Sequence, residues 1–260
     1  MPPGLSTPKS NQNKFNRVNR LQIQAASVRR LRPPYCLSVK RLGLACLLAA
    51  VTVITGAAAT TACMFTLDSA FMRTIALPPA RFTAAEITDW YKLLRIMGYA
   101  PTWLAVAAAF ILVDSTRRTD DTPNINLGGR PLTWSRGPFL AASILLAGLL
   151  AEVVKLITRR ARPTIANPEE LYNWLAWSAK GINTGDLALP SSHAAVAFAA
   201  AWAIGKLHPR TLPVGLLLAI GCGTTRLLAG QHHASDIVAA AFVGLLPVVV
   251  LTALFDKPRP

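Results

Sequence analysis

Charge is scarce in this chain, and acid is scarcer. Of 260 residues only 15% are charged, and Asp and Glu together number 12 against 27 Lys and Arg. With 52% hydrophobic residues gathered in long runs, that balance excludes an ordinary soluble domain and marks a polytopic membrane protein. Cysteine is also rare. Cys46, Cys63 and Cys222 lie in apolar runs and Cys36 stands alone in a basic segment. No Cys-x-x-Cys pair exists, so neither a zinc site nor a disulfide framework is indicated, and the thiols read as small membrane-buried residues. No internal repeat is present.

The net charge of +15 raises the question of a nucleic-acid partner, and its distribution answers against one. Residues 1–41 hold nine cations, Lys9, Lys14, Arg17, Arg20, Arg29, Arg30, Arg32, Lys40 and Arg41, and no Asp or Glu. No recognition motif accompanies them. The segment reads as a polar, disordered cytoplasmic tail that sets topology and touches anionic lipid.

Six apolar stretches follow, at 42–65, 97–114, 138–158, 192–207, 211–230 and 236–255. Each approaches the length of about 20 residues that a helix needs to cross a bilayer. The first has too long an apolar core and too extended a basic leader for a signal sequence to be the better reading, although the small residues around Ala57 to Ala62 leave cleavage open as the alternative. The expected architecture is therefore all-α: a tail at 1–41 and a six-helix transmembrane bundle at 42–255. With the tail inside, loops 66–96, 159–191 and 231–235 fall outside, and both termini lie in the cytoplasm. Arg159, Arg160 and Arg162 then stand outside against the charge rule, which a functional demand for cations would explain. Residues 168–177, with Tyr172, Trp174 and Trp177, predict a short interfacial helix. Residues 84–96, with Trp90 and Tyr91, predict a similar anchor, and 123–129 a turn-rich connector.

Polar groups collect at the outer ends of these stretches, where they are costly without a use. Lys155 and Arg162 are seven apart, two helical turns, so both would project from one face as a phosphate clamp, with Pro163 ending the helix. Positive flanking of a membrane span is the plain alternative, and it is kept for Arg159 and Arg160, which lack such a spacing partner. Pro190-Ser191-Ser192-His193 opens the fourth stretch as a helix start. Either serine suits the cap, and the free N–H groups favour an oxyanion. Capping alone would also explain the serines. Asp236 lies four residues after His232, placed to accept from one imidazole nitrogen and leave the other free to attack. His233 has Ile237 at that spacing and lacks an orienting acid. Arg226 adds a third cation. Metal binding by His193, His232 and Asp236 competes with this reading, but the nearby cations repel a divalent ion.

The order Lys-x6-Arg-Pro, Pro-Ser-x-His, Arg-x5-His-x3-Asp over residues 155–236 resembles the type-2 phosphatidic acid phosphatase superfamily, which also holds the vanadium haloperoxidases. Two positions depart from the usual pattern: Ser192 stands where Gly is common, and Thr225 where Ser is. The resemblance implies that His232 attacks phosphorus to form a phosphohistidine, that Asp236 orients it, and that His193 protonates the leaving oxygen and then activates water. It further implies that Lys155, Arg162, Ser191, the Ser192 backbone and Arg226 hold the phosphoryl oxygens, with no metal or other cofactor. The function so implied is hydrolysis of a lipid phosphate or diphosphate (polyprenyl diphosphate, phosphatidic acid, phosphatidylglycerol phosphate or lipid A type). The protein would sit in a bacterial inner membrane with its site on the extracytoplasmic face. A lipid-to-lipid phosphotransferase using the same site is the alternative. An anionic-lipid transporter or scaffold would need no His232–Asp236 pairing, and haloperoxidase activity would need vanadate-dependent halide oxidation. The sequence gives no oligomeric state. Reporter fusions after residues 130 and 180 are expected to report opposite sides of the membrane; the same side for both would overturn this topology.

Overall fold

Without water to satisfy backbone groups in the bilayer core, an apolar stretch must close its hydrogen bonds within itself, and helix is the local solution. A computed structural model of the chain describes residues 39–116, 136–163, 173–177 and 182–255. Its helices are α1 (Val39–Thr66), α2 (Asp68–Thr74), α3 (Pro79–Glu86), α4 (Asp89–Ile96), α5 (Ala100–Thr116), α6 (Arg136–Thr158), α7 (Ser192–Leu207), α8 (Leu212–Leu228) and α9 (Ala234–Phe255). Among the described residues the only β pairing is two isolated bridges. The protein is an all-α integral membrane protein. Most of the tail, Cys36, the 123–129 connector and residues 168–172 lie outside the described residues.

All six apolar stretches are helical. Four helices, α1, α6, α9 and α8 with the turn before it, are long and apolar enough to span a membrane. Together, α4 and α5 make a fifth if the pair, bent by 65°, counts as one span. The fourth stretch, α7, has only 16 residues, about 24 Å at 1.5 Å per residue. Eleven of them are buried, because α6, α8 and α9 wall it in. Its run of alanines lets these neighbours approach closely. At Gly244 an added Cβ would sit 2.7 Å from the Ala195 carbonyl oxygen and 2.8 Å from the Ala199 nitrogen, so the backbones of α9 and α7 touch there. By contrast, α1 buries only Ala45, Thr52, Gly56, Thr60 and Cys63. Its apolar side chains Leu47, Val51 and Ile54 face outward, as lipid-facing residues do.

Two expected interfacial helices differ from what is observed. Trp174 and Leu175 are extended: Trp174 bridges Arg160, and the Leu175 N–H donates to the Arg159 carbonyl at 2.9 Å. Residues 84–96 are split between α3 and α4. Trp90 is exposed there, but Tyr91 is buried, and its hydroxyl donates to the Thr225 carbonyl at 3.2 Å. Tyr91 is a strut holding α4 against α8, which a pattern of aromatic residues alone does not distinguish from a surface anchor.

Gly244→Ala is expected to force α9 away from α7 and destabilise the protein by about 1–3 kcal/mol. A Cβ at Gly43 meets nothing within 4 Å, so Gly43→Ala should be neutral or stabilising. Thermal unfolding in detergent would compare them, and equal melting temperatures would contradict this packing.

Candidate active site

The polar residues singled out by the motifs gather at one end of the bundle, where α6, α8 and α1 end and α7, α9 and α2 begin. The first element departs from expectation. Helix α6 stops at Thr158 rather than running to Pro163, because Arg159 takes a left-handed φ of 51°, a conformation that ends a right-handed helix. The chain then runs extended, Arg160 bridging Trp174 and Ala161 bridging Leu187. Lys155 and Arg162 therefore do not share a helix face. The turn instead directs the arginines into separate roles. Arg159 lies over the Trp177 ring, 4.5 Å from its centroid, and donates to the Leu175 and Ala176 carbonyls. Arg162 donates to Gln231 Oε1 at 3.2 Å.

Arg160 is not a flanking charge. It is fully buried, and it donates to Asp68 Oδ2 at 2.8 Å, Asp236 Oδ1 at 3.0 Å and Ser235 Oγ at 2.6 Å. Asp68 in turn accepts from the Ser235 N–H at 2.8 Å and from its hydroxyl at 2.6 Å. One guanidinium thus sits between two carboxylates with no water access, and every carboxylate oxygen has a donor. Asp236 Oδ2 accepts from the N–H of His233 at 2.7 Å. Asp236 is the third residue of α9 and His233 the residue before it, so this is the returning half of a capping box. The carboxylate is fixed by its helix and by Arg160 together.

His232 is buried. Its Nδ1 lies 2.9 Å from the Ala188 carbonyl and 3.5 Å from Asp236 Oδ2. Since a carbonyl oxygen can only accept, Nδ1 carries the proton and Nε2 keeps its lone pair. The nearer orienting group is thus a backbone carbonyl, with Asp236 behind it. His233 Nδ1 is as close to Asp236 Oδ2, at 3.4 Å, so the +4 spacing does not separate the two histidines. What separates them is the Ala188 contact, because the ring nitrogens of buried His233 have no hydrogen-bond partner. Burial pushes the His232 imidazole below the ordinary histidine pKa, opposed by Asp236 and aided by Arg226 and Arg162.

The remaining predicted residues lie at the same end of the bundle. Lys155 donates to Ser192 Oγ at 2.5 Å and to Glu152 Oε1 at 3.0 Å, and the Ser192 hydroxyl donates to Glu152 at 2.5 Å. Neither serine caps α7 through its side chain. Ser191 Oγ is buried without a partner, while its N–H donates to the Asp236 carbonyl at 3.2 Å. Arg226 and Arg162 both donate to Gln231 Oε1, which draws two guanidinium groups onto one oxygen. The Nε of each is buried and has no acceptor. His193 is the second residue of α7, within electrostatic range of His232, Arg226 and Lys155. Gly98, at the α4–α5 bend, lies against it: a Cβ there would come 2.7 Å from the His193 carbonyl oxygen. Thr225 turns away to the Cys222 carbonyl at 2.7 Å. Among the described residues no group of three or more His, Cys, Asp or Glu could hold a metal ion.

The family model of the PAP2 superfamily matches residues 138–260. This C-terminal part of the chain is similar to that superfamily, the one its motif order resembles. The matched PAP2 segment contains every predicted site residue but excludes Asp68. Two curated proteins are similar to it. The lipid A 1-phosphatase of Rhizobium etli is 31% identical over 110 residues, 42% of this chain and 45% of the relative. The lipid A 1-phosphatase of Rhizobium johnstonii is 31% identical over 120 residues, 44% and 47%. The chain thus aligns with about half the length of these relatives. Among solved structures, the PAP2-type phosphatidylglycerolphosphate phosphatase of Bacillus subtilis is 17% identical, with a TM-score of 0.49 over 79% of this chain and 92% of that one.

Asp68, Arg160, Ser235, Glu152, Gln231 and Ala188 were not singled out from sequence. Asp68 carried a faint signal, a rare acid just beyond the first apolar stretch. Nothing in sequence marks a backbone carbonyl such as that of Ala188. Arg160→Met leaves two buried carboxylates without a counter-charge and should cost about 3–5 kcal/mol. Asp68→Asn should cost less, and the double variant should recover part of the Arg160→Met loss. A double variant no more stable than Arg160→Met, by denaturant titration in detergent, would contradict this charge balance.

Proposed function

We propose that the protein is an integral-membrane phosphatase that hydrolyses a phosphate ester of a membrane lipid through a phosphohistidine on His232. One observation carries the reading. His232 Nε2 is left as a lone pair by the Ala188 contact, and the same end of the bundle holds buried donors that lack acceptors: Arg162 Nε, Arg226 Nε and Ser191 Oγ. Unpaired buried donors are costly, and a phosphoryl group supplies the oxygens they need. The lipid A 1-phosphatase relatives favour a lipid-borne phosphate as substrate.

In this mechanism Nε2 attacks phosphorus and the bond to the lipid oxygen breaks. His193 gives its proton to that oxygen, and the lipid leaves as an alcohol. His193 then takes a proton from water, whose oxygen attacks phosphorus. The P–N bond breaks, phosphate departs and His232 regains its lone pair. Arg162, Arg226, Lys155, Ser191 and the N–H groups at the start of α7 hold the phosphoryl oxygens through both steps. On phosphate binding, Arg162 and Arg226 exchange Gln231 Oε1 for phosphoryl oxygens, and Lys155 exchanges Glu152. Asp236, anchored by Arg160, stabilises the charge that develops on the His232 ring.

The span count follows the same reading. Residues 42–255 form one domain of six spans: α1, the α4–α5 pair, α6, α7, α8 and α9. The termini are cytoplasmic and the site is extracytoplasmic, in a bacterial inner membrane. The positive tail before α1 and the gathering of all motif ends at one end of the bundle support this arrangement. A headgroup can then reach the site while its acyl chains stay in the bilayer.

Phosphate release from lipid phosphates by the purified protein, with EDTA present, is expected to be lost on His232→Ala. It is expected to fall by about 10²–10³ on Arg226→Gln. A phosphorylated lipid acceptor in place of free phosphate would show transfer instead, and activity surviving His232→Ala would refute the mechanism. Protonating His232 removes the nucleophile. Because its pKa lies below the ordinary value of about 6.5, kcat/KM should hold as pH falls through 6.5 and decline only at lower pH. A His232-dependent decline at or above 6.5 would contradict the burial argument.

A further inference from the structure

The bend between α4 and α5 opens a groove beside the site. Helix α4 packs against α8, and after the 65° bend α5 packs against α6 instead. A groove of about 330 Å³ is left between α5 and α8, with α7 as its floor, at the small end of ligand sites. Met97 and Trp103 form one wall, Val214 and Leu218 the other, and Ala197 and Ala201 lie between them. Its upper end borders the site. Gly98, next to Met97, lies against His193, and Ala197 is four residues after His193 on α7, about 6 Å. From Ala197 to Ile204 the floor runs on for about 10 Å, away from the site. Trp103 donates its indole N–H to the Met97 carbonyl at 2.6 Å, so that donor is satisfied within the wall. The other polar lining residues, Arg210 and Thr211, stand at the far end.

We infer that this groove takes one hydrocarbon chain of the substrate's leaving alcohol. The inference rests on the proposed reaction, in which His193 protonates the leaving oxygen. The alcohol side of the ester must then lie on the His193 side of phosphorus, and the groove opens there. Its upper part offers no side-chain hydrogen-bond partner, so a sugar or a peptide would lose its water contacts there without replacement. A hydrocarbon chain loses nothing of that kind. The small floor residues Ala197, Ala201 and Gly215 give the groove a depth that larger side chains would fill. The volume suits a single chain, and a lipid with more than one keeps the others in the bilayer. Each methylene buried strengthens binding about fourfold, so the groove favours substrates whose chain is long enough to fill it.

The test measures phosphate release from a series of single-chain glycerol phosphates, butyryl, octanoyl, lauroyl and palmitoyl, by the purified full chain in detergent. Val214 is exposed in the groove wall, and Val214→Trp narrows the groove without touching the polar site. It should lower the palmitoyl-to-butyryl ratio of kcat/KM by about 15-fold relative to the parent, the loss of two buried methylenes at about fourfold each. Comparing ratios between variant and parent cancels partition of the longer chains into detergent. Leu218→Trp should do the same and serves if Val214→Trp does not fold. Leu217, exposed on the same helix but outside the groove, is the control, and Leu217→Trp should keep the parent ratio. A parent protein that releases phosphate from none of the series would sink the catalytic reading and this inference with it. An active parent whose ratio is unchanged by the groove variants, or is lowered equally by Leu217→Trp, would overturn the inference alone.

Discussion

The site depends on one buried cation. Arg160 has no contact with water and lies between Asp68 and Asp236. Its removal would leave two carboxylates in a medium where a single unpaired charge costs several kcal/mol. The guanidinium fork fixes the position of Asp236 and ties three distant parts of the chain together: the start of α2, the extended turn after α6 and the start of α9. A lysine could not hold three acceptors in that planar geometry. The excess negative charge of the trio lies beside His232, where positive charge develops on the imidazole in the proposed mechanism. Structure and chemistry thus draw on the same ion pair.

Around that centre the helices divide the work. Helix α7 is short, alanine-rich and buried on most of its surface, so it acts as the axis against which α6, α8 and α9 pack. Its first turn is consequently held rigidly, and Ser191, Ser192 and His193 are displayed from a fixed platform rather than a loop. The left-handed turn at Arg159 converts a continuous run of cations into three side chains with separate tasks: one packed on tryptophan, one buried in the ion-pair trio, and one facing Gln231 with Arg226. Glu152 accepts from Lys155 and Gln231 from the two arginines, so the cations are not left unsolvated beside the bilayer.

Much of this was legible in the sequence. The long apolar runs give the helices, and the three motifs give residues that do meet at one end of the bundle. Other features were not legible. The helical spacing of Lys155 and Arg162 was misleading, because one residue in the left-handed region, Arg159, ends α6 at Thr158. Tyr91 and Trp174 looked like interfacial anchors, since an aromatic residue near a span end has the same sequence signature whether it faces lipid or the core. Asp68 lies 92 residues before Arg160, and no local pattern connects them. His232 and His233 differ through a carbonyl at Ala188, and a carbonyl has no signature at all.

The measurement closest to the central claim is capture of the covalent intermediate. A lipid phosphate carrying radioactive phosphorus would be mixed with the protein for milliseconds and quenched in alkali, where phosphohistidine survives, and the label would then be mapped to a peptide. The account predicts label on the peptide containing His232, present in the parent protein and absent from His232→Ala. Rapid phosphate release with no labelled protein, or label on a peptide lacking His232, would contradict it.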